Sequence, residues 1–81
     1  MPRVTADRDS AVPMYVQIAD QIREQILSGE LRARVPSVKT ISEEAGVSKI
    51  VGEMAMKILK DEGLIEVSIG RGAYVKKPRH S

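Results

Sequence analysis

The fold class predicted for this 81-residue sequence is mostly α with a small β-hairpin, a winged helix-turn-helix of three helices plus a wing. Three observations carry that prediction. The stretch Val35–Gly63, VPSVKTISEEAGVSKIVGEMAMKILKDEG, has the layout of a short helix, a tight turn at Ala45–Gly46–Val47 and a longer helix. Before it, apolar residues recur at helical spacing from Tyr15 to Ile26. After Gly63 the apolar period changes to two, on both sides of a Gly-Arg-Gly turn.

The totals bound the function. A chain of 81 residues makes one domain, near the lower size limit for folding without staples. It has no cysteine, which removes disulfides and thiolate metal sites and fits a reducing compartment. Its one histidine, His80, lies next to the C-terminus. No metal cluster, His-based catalytic set, nucleophile–base pair or phosphate loop can be assembled, so neither an enzyme nor a cofactor is expected. No small-molecule effector site is visible either. The formal charge of +2 permits nucleic-acid binding without arguing for it. Apolar runs are too short for a membrane span, and MPRVTADRDS has no apolar core of a secretory signal. Tyr15 and Tyr74 are the only aromatics, which implies an aliphatic core and disfavours single-strand binding by base stacking.

Taken in order, residues 1–11 lack periodicity and read as a flexible arm in which Arg3 and Arg8 are solvated rather than bound to phosphates. Residues 12–76 form the domain. The first helix starts near Pro13, where a missing N–H costs nothing. Tyr15, Ile18, Ile22 and Ile26, joined by Ala19 and Leu27, give it one buried face. Gly29 ends it. Leu31–Val35 is a short connection. Ser37 caps a second helix, Val38–Glu44, with Val38, Ile41 and Ala45 on its buried side. Gly46 supplies the turn. Ser48 caps the third helix, which runs to about Glu62 and stops at Gly63. Leu64–Ile69 and Ala73–Val75 then flank the turn of a hairpin. Residues 77–81 are a basic tail.

Six phrases, in order over residues 13–75, resemble the GntR family of bacterial transcription regulators. They are Pro13–Ile18, Ile26–Leu31, Val35–Ser37, Ala45–Ser48, Asp61–Ile65 and Gly70–Val75. The resemblance implies an N-terminal winged helix that binds double-stranded operator DNA as a homodimer, in the bacterial cytoplasm and in association with the nucleoid. Family members normally continue into a metabolite-sensing, dimerising domain, which this sequence lacks. It is therefore expected to be a stand-alone or truncated member, and ligand sensing does not carry over. Position by position, the resemblance places DNA contacts at Lys39 early in the second helix, at Lys49 opening the third, and at Gly70 and Arg71 in the wing tip. Ser37, Ser48 and Gly72 frame these positions. Three departures stand out. Ile50 and Val51 replace small polar residues, Glu53 replaces an arginine, and the loop between Leu31 and Val35 is shorter than usual.

On a helical wheel the third helix divides into three stripes. Gly52, Ala55, Met56 and Leu59 form the core stripe. Gly52 stands where a larger aliphatic would pack, and a glycine in mid-helix costs about 1 kcal/mol relative to alanine. It also removes the partner that Val47 would pack against. Lys49, Glu53, Lys57 and Lys60 form a charged stripe suited to i,i+4 pairing. Lys57 and Lys60 read as solvated, whereas Lys49 sits at the end that meets base edges. Glu53 either accepts from cytosine N4 or neutralises its lysine neighbours.

Ile50, Val51, Met54 and Ile58 form an apolar stripe expected to face outward. Thymine-methyl contacts, a protein interface, or a rotated helix burying more of the stripe would each account for it. An arginine between two glycines at a hairpin tip suits a narrow minor groove, although Gly-Arg-Gly is also an ordinary turn. The expected function is a DNA-binding transcriptional regulator with Ser37, Lys39, Ser48, Lys49, Ile50, Val51 and Glu53 at the major groove and Gly70, Arg71 and Gly72 at the minor groove. The alternative is a protein-interaction module that docks a partner through Ile50, Met54 and Ile58.

Overall fold

The computed structural model describes residues 4–68 and 72–76. The element order is α1 (Met14–Leu27), β1 (Arg34–Val35), α2 (Val38–Ala45), α3 (Lys49–Asp61), β2 (Ile65–Ser68) and β3 (Gly72–Val75). The three strands form one antiparallel sheet in the order β1-β3-β2. This is the winged helix-turn-helix arrangement, with β2 and β3 as the hairpin. The wing is broader than the sequence suggests, because Arg34–Val35, read as a connection, pairs with Tyr74 and Ala73. Two residues are too few for a period-two pattern to show.

Local chemistry sets the helix boundaries. Ser37 Oγ accepts from the Thr40 N–H at 3.1 Å, and Ser48 Oγ accepts from the Val51 N–H at 3.4 Å. Gly46 takes φ 69, a left-handed conformation that costs glycine nothing, and the Val47 N–H closes back on the Ser42 carbonyl at 3.0 Å. That closure ends α2 and lets α3 leave in a new direction. α3 packs on both α1 and α2, and its end leads directly into β2.

The core is aliphatic. Ile18, Ala19 and Ile22 of α1 meet Ile41 of α2, Ala55, Met56 and Leu59 of α3, and Val35, Ile65 and Ala73 of the sheet. Two assignments on α1 change. Leu27 is 70% exposed. It follows Ile22 by five residues and so lies well round the wheel from the buried face. Gln25 is buried instead, because it follows Ile18 by seven residues and falls on the same stripe. On α2, Ile41 and Ser42 are buried, while Val38 and Ala45 are half-buried against the core.

The expected flexible arm over residues 1–11 is corrected for its described part. Val4 is 2% exposed and belongs to the core. Two glutamines one turn apart on α1 hold the backbone beside it. Thr5 N–H donates to Gln21 Oε1 at 2.9 Å, and Gln21 Nε2 donates back to the Thr5 carbonyl. Asp7 N–H donates to Gln17 Oε1 at 2.8 Å, and Gln17 Nε2 donates to the carbonyls of Asp7 and Val12 at 2.9 and 2.7 Å. Arg8, expected to be solvated, donates to the Gly46 carbonyl at 2.9 Å. Backbone groups bonded this way are docked, not waving. Among the described residues, 4–8 therefore pack on α1 and the turn after α2. The tail, residues 77–81, lies outside the described residues.

Candidate nucleic-acid interface

Lys49, Ile50, Val51 and Glu53 ride on the first two turns of α3, and Lys39 on the first turn of α2. The first turn of neither helix carries an acidic side chain, so the partial positive charge of each N-terminus is uncompensated there. The two serines lie at the starts of these helices, and their hydroxyl oxygens are engaged in capping. Their role in this fold is to set helix direction; a phosphate would meet the backbone N–H groups beside them.

Lys39, Lys49, Ile50 and Glu53 are all exposed. Ile50 is 67% exposed, so the first turn of α3 presents a large aliphatic side chain to solvent. The outward apolar stripe is narrower than the sequence suggests. Val51 and Ile58 are half-buried and pack against the core, which leaves Ile50 and Met54 exposed. The physical reason is that α3 is covered on two sides, by α1 and by α2, so a stripe adjoining the core stripe is drawn partly inward. A protein interface through Ile50, Met54 and Ile58 thereby loses part of its third anchor.

The charged stripe also pairs differently from the helical-wheel expectation. Lys57 Nζ lies 3.0 Å from Asp61, one turn ahead of it. Neither Lys49 nor Glu53 makes an ion pair among the described residues. The strongest pair lies elsewhere. Arg23 of α1 donates from Nε and Nη2 to the two carboxylate oxygens of Glu62, at 2.8 and 2.6 Å, and also bonds Asp20. The Arg23 hydrogen bonds hold the Glu62 carboxyl below its usual range, and the same bonds stabilise the charged guanidinium. This fork ties the C-terminal end of α3 to α1.

Gly52 brings α3 close against Val38 of α2. A Cβ built there would stand 3.2 Å from Val38 Cγ1 and 3.5 Å from the Val38 carbonyl. Val38 therefore fills the space where the sequence suggests a larger side chain of α3. Ser37 at the start of α2, Glu53 of α3 and Gly72 at the base of the wing line one cleft, floored by Val38, Met56 and Ala73. Gly70 and Arg71 lie outside the described residues. Gly72 opens β3 with φ 99, and the Arg34 guanidinium lies alongside it, such that a Cβ at Gly72 would be 3.7 Å from Nη2. Arg34 is an exposed cation at the wing base that the sequence reading passed over, because β1 itself was not visible. No helix among the described residues is long and apolar enough to cross a membrane.

The protein NagR of Bacillus subtilis (strain 168), an HTH-type transcriptional repressor, is 36% identical over 75 residues, covering 90% of this chain and 31% of its own length. The sequence thus spans less than a third of that relative. YtrA from Sulfolobus acidocaldarius, a GntR-family transcription factor, superposes with a TM-score of 0.84 at 37% identity, covering 94% of this chain and 82% of that chain. AraR(DBD), solved in complex with operator ORX1, shares the fold at a TM-score of 0.82 and 21% identity, covering 91% of this chain and 98% of that one. The family profile described as "Bacterial regulatory proteins, gntR family" matches residues 14–75. The chain belongs to the gntR family of bacterial regulatory proteins.

Proposed function

We propose that this domain is the DNA-reading part of a transcription regulator, binding duplex operator DNA with α3 in the major groove and the wing in the minor groove. One observation carries the reading. Ser37 at the start of α2, α3 from Glu53 to Asp61, and Gly72 at the base of the wing line a single cleft, which supports a shared duplex-facing side for the three elements. Lys39, Lys49 and Arg34 stand exposed on these elements. NagR is a repressor by name and AraR(DBD) was solved on its operator, which supports the same use of the fold here. Lys39 and the α2 N-terminus would hold phosphates; Lys49, Ile50 and Glu53 would meet base edges. Gly70 and Arg71 would reach the minor groove.

A homodimer on two half-sites one helical turn apart, working in the cytoplasm at the nucleoid, belongs to the same proposal and rests on the family resemblance. The docking of a protein through Ile50, Met54 and Ile58 is not favoured by any contact described above. Selection from a random duplex pool tests the function directly. Enrichment of a common sequence supports it, and a pool that stays random after repeated rounds contradicts it. Arg71→Ala should weaken binding to the enriched duplex and reduce the steepness of its salt dependence by about one counterion. An unchanged affinity would remove the wing from the interface.

A further inference from the structure

The charged side chains of α3 are unequally paired. Glu53 stands on the exposed side of α3, one turn beyond Lys49, and lines the cleft toward the hairpin together with Lys57 and Val67. An acid whose task was to neutralise its helix neighbours would sit against Lys49 or Lys57. Lys57 is engaged instead by Asp61 at 3.0 Å, and the Glu53 carboxylate makes no hydrogen bond or ion pair among the described residues. The carboxylate is left exposed and unpaired at the cleft between α3 and the hairpin.

A carboxylate there is repelled by phosphates and by any base edge that offers only acceptors. In the major groove guanine presents N7 and O6, and thymine presents O4 beside its methyl; both repel it. Adenine offers its N6 amine but sets the N7 acceptor beside it. Cytosine offers the N4 amine with no acceptor on its own major-groove edge, and the O6 of its paired guanine is left to a cation. Resting on the groove-reading role proposed for α3, we infer that Glu53 is a specificity-determining residue that selects a C·G base pair by accepting from cytosine N4. Lys49, one turn nearer the helix start and without an ion pair among the described residues, donates to guanine O6 or N7 of that pair or its neighbour. Ile50, exposed beside Lys49, packs on a thymine methyl in the adjoining step. The selected half-site therefore contains a C·G pair flanked by thymine.

The test uses the full chain, the duplex enriched from a random pool, and variants of that duplex changed one base pair at a time. Binding is read by fluorescence anisotropy for the wild type and for Glu53→Gln. The expected result is one position where the wild type requires cytosine, with other bases there weakening binding roughly 5- to 150-fold. Glu53→Gln should move the preference at that position from cytosine to adenine, because an amide accepts from N6 and donates to N7. Glu53→Ala, checked for helix content by circular dichroism, should flatten the preference at the same position. The inference is overturned if both variants leave every positional preference where it was, or if the base pair that moves is A·T or T·A in the wild type. Failure of the wild type to enrich any sequence, with equal affinity for all duplexes, would overturn the DNA-reading role itself and this inference with it.

Discussion

Gly52 of α3 lies directly against Val38 of α2, so close that a methyl group at Gly52 would come within 3.2 Å of Val38 Cγ1. The crossing of the two motif helices is thus set by a missing side chain on one and a β-branched side chain on the other. Gly52→Ala removes the helix-propensity cost of glycine, about 1 kcal/mol, and adds a tight contact of comparable size. Its urea midpoint should stay close to that of the wild type. Adding Val38→Ala should relieve the contact, so the double variant should be more stable than the sum of the single effects. Gly52→Leu has no space and should lose about 1–3 kcal/mol. Strict additivity across the cycle would show that the two side chains do not meet.

The docked N-terminal segment makes a second prediction. Val4 is fully enclosed, and replacing it with alanine removes two methyl groups, a loss of about 2 kcal/mol. Removal of residues 1–8 should cost more, since the Gln17 and Gln21 amides and the Gly46 carbonyl lose partners. Denaturant titration of the two variants decides the point. Wild-type stability for both would restore a free arm.

The two caps should differ in strength. Ser37 accepts at 3.1 Å and Ser48 at 3.4 Å, so Ser37→Ala should cost the full ~1 kcal/mol of a good cap and Ser48→Ala less. Paired urea midpoints in one buffer check the order. A larger loss at Ser48 would contradict it.

The Arg23–Glu62 fork predicts a pH dependence. The Glu62 carboxyl is held below its unfolded value by the Arg23 hydrogen bonds, so between the two values the unfolded chain binds the proton more readily. Stability from this pair is therefore complete above the ordinary carboxylate range and is lost as pH falls through the lowered folded value. The Glu62 side chain is 39% exposed, so solvent screening keeps the contribution at or below about 1 kcal/mol. Glu62→Gln should be less stable than the wild type at neutral pH, with the gap closing in acid. A gap that widens as pH falls would reverse the sign of the argument.

How much of this was legible depends on how local each signal is. Ser37, Gly46, Ser48 and Gly63 act on their own backbone neighbours, and each marks a boundary that the sequence alone exposes. The Gly52–Ala55–Met56–Leu59 stripe follows from the helical period. Val4 escaped because a single aliphatic has no period, and the amides that hold its neighbours lie 10–16 residues away on α1. β1 escaped because its two residues are defined by their partner, β3, rather than by any pattern of their own. On α3, the exposure of Lys49, Ile50 and Glu53 followed from the wheel. The inward lean of Val51 and Ile58 did not, since it depends on α1 and α2 flanking α3. Nor did the Lys57–Asp61 pairing, because Glu53 offered the same lysine an equally spaced carboxylate in the other direction.

The proposed reading of duplex sequence through α3 can be measured at once. Its most direct test is the affinity of the full chain for the enriched duplex and for a scrambled duplex of equal length and composition, at two salt concentrations. The account predicts a preference on the order of 10³-fold for the enriched duplex, with both affinities falling as salt rises. Equal affinity for the two duplexes at both salts would contradict it.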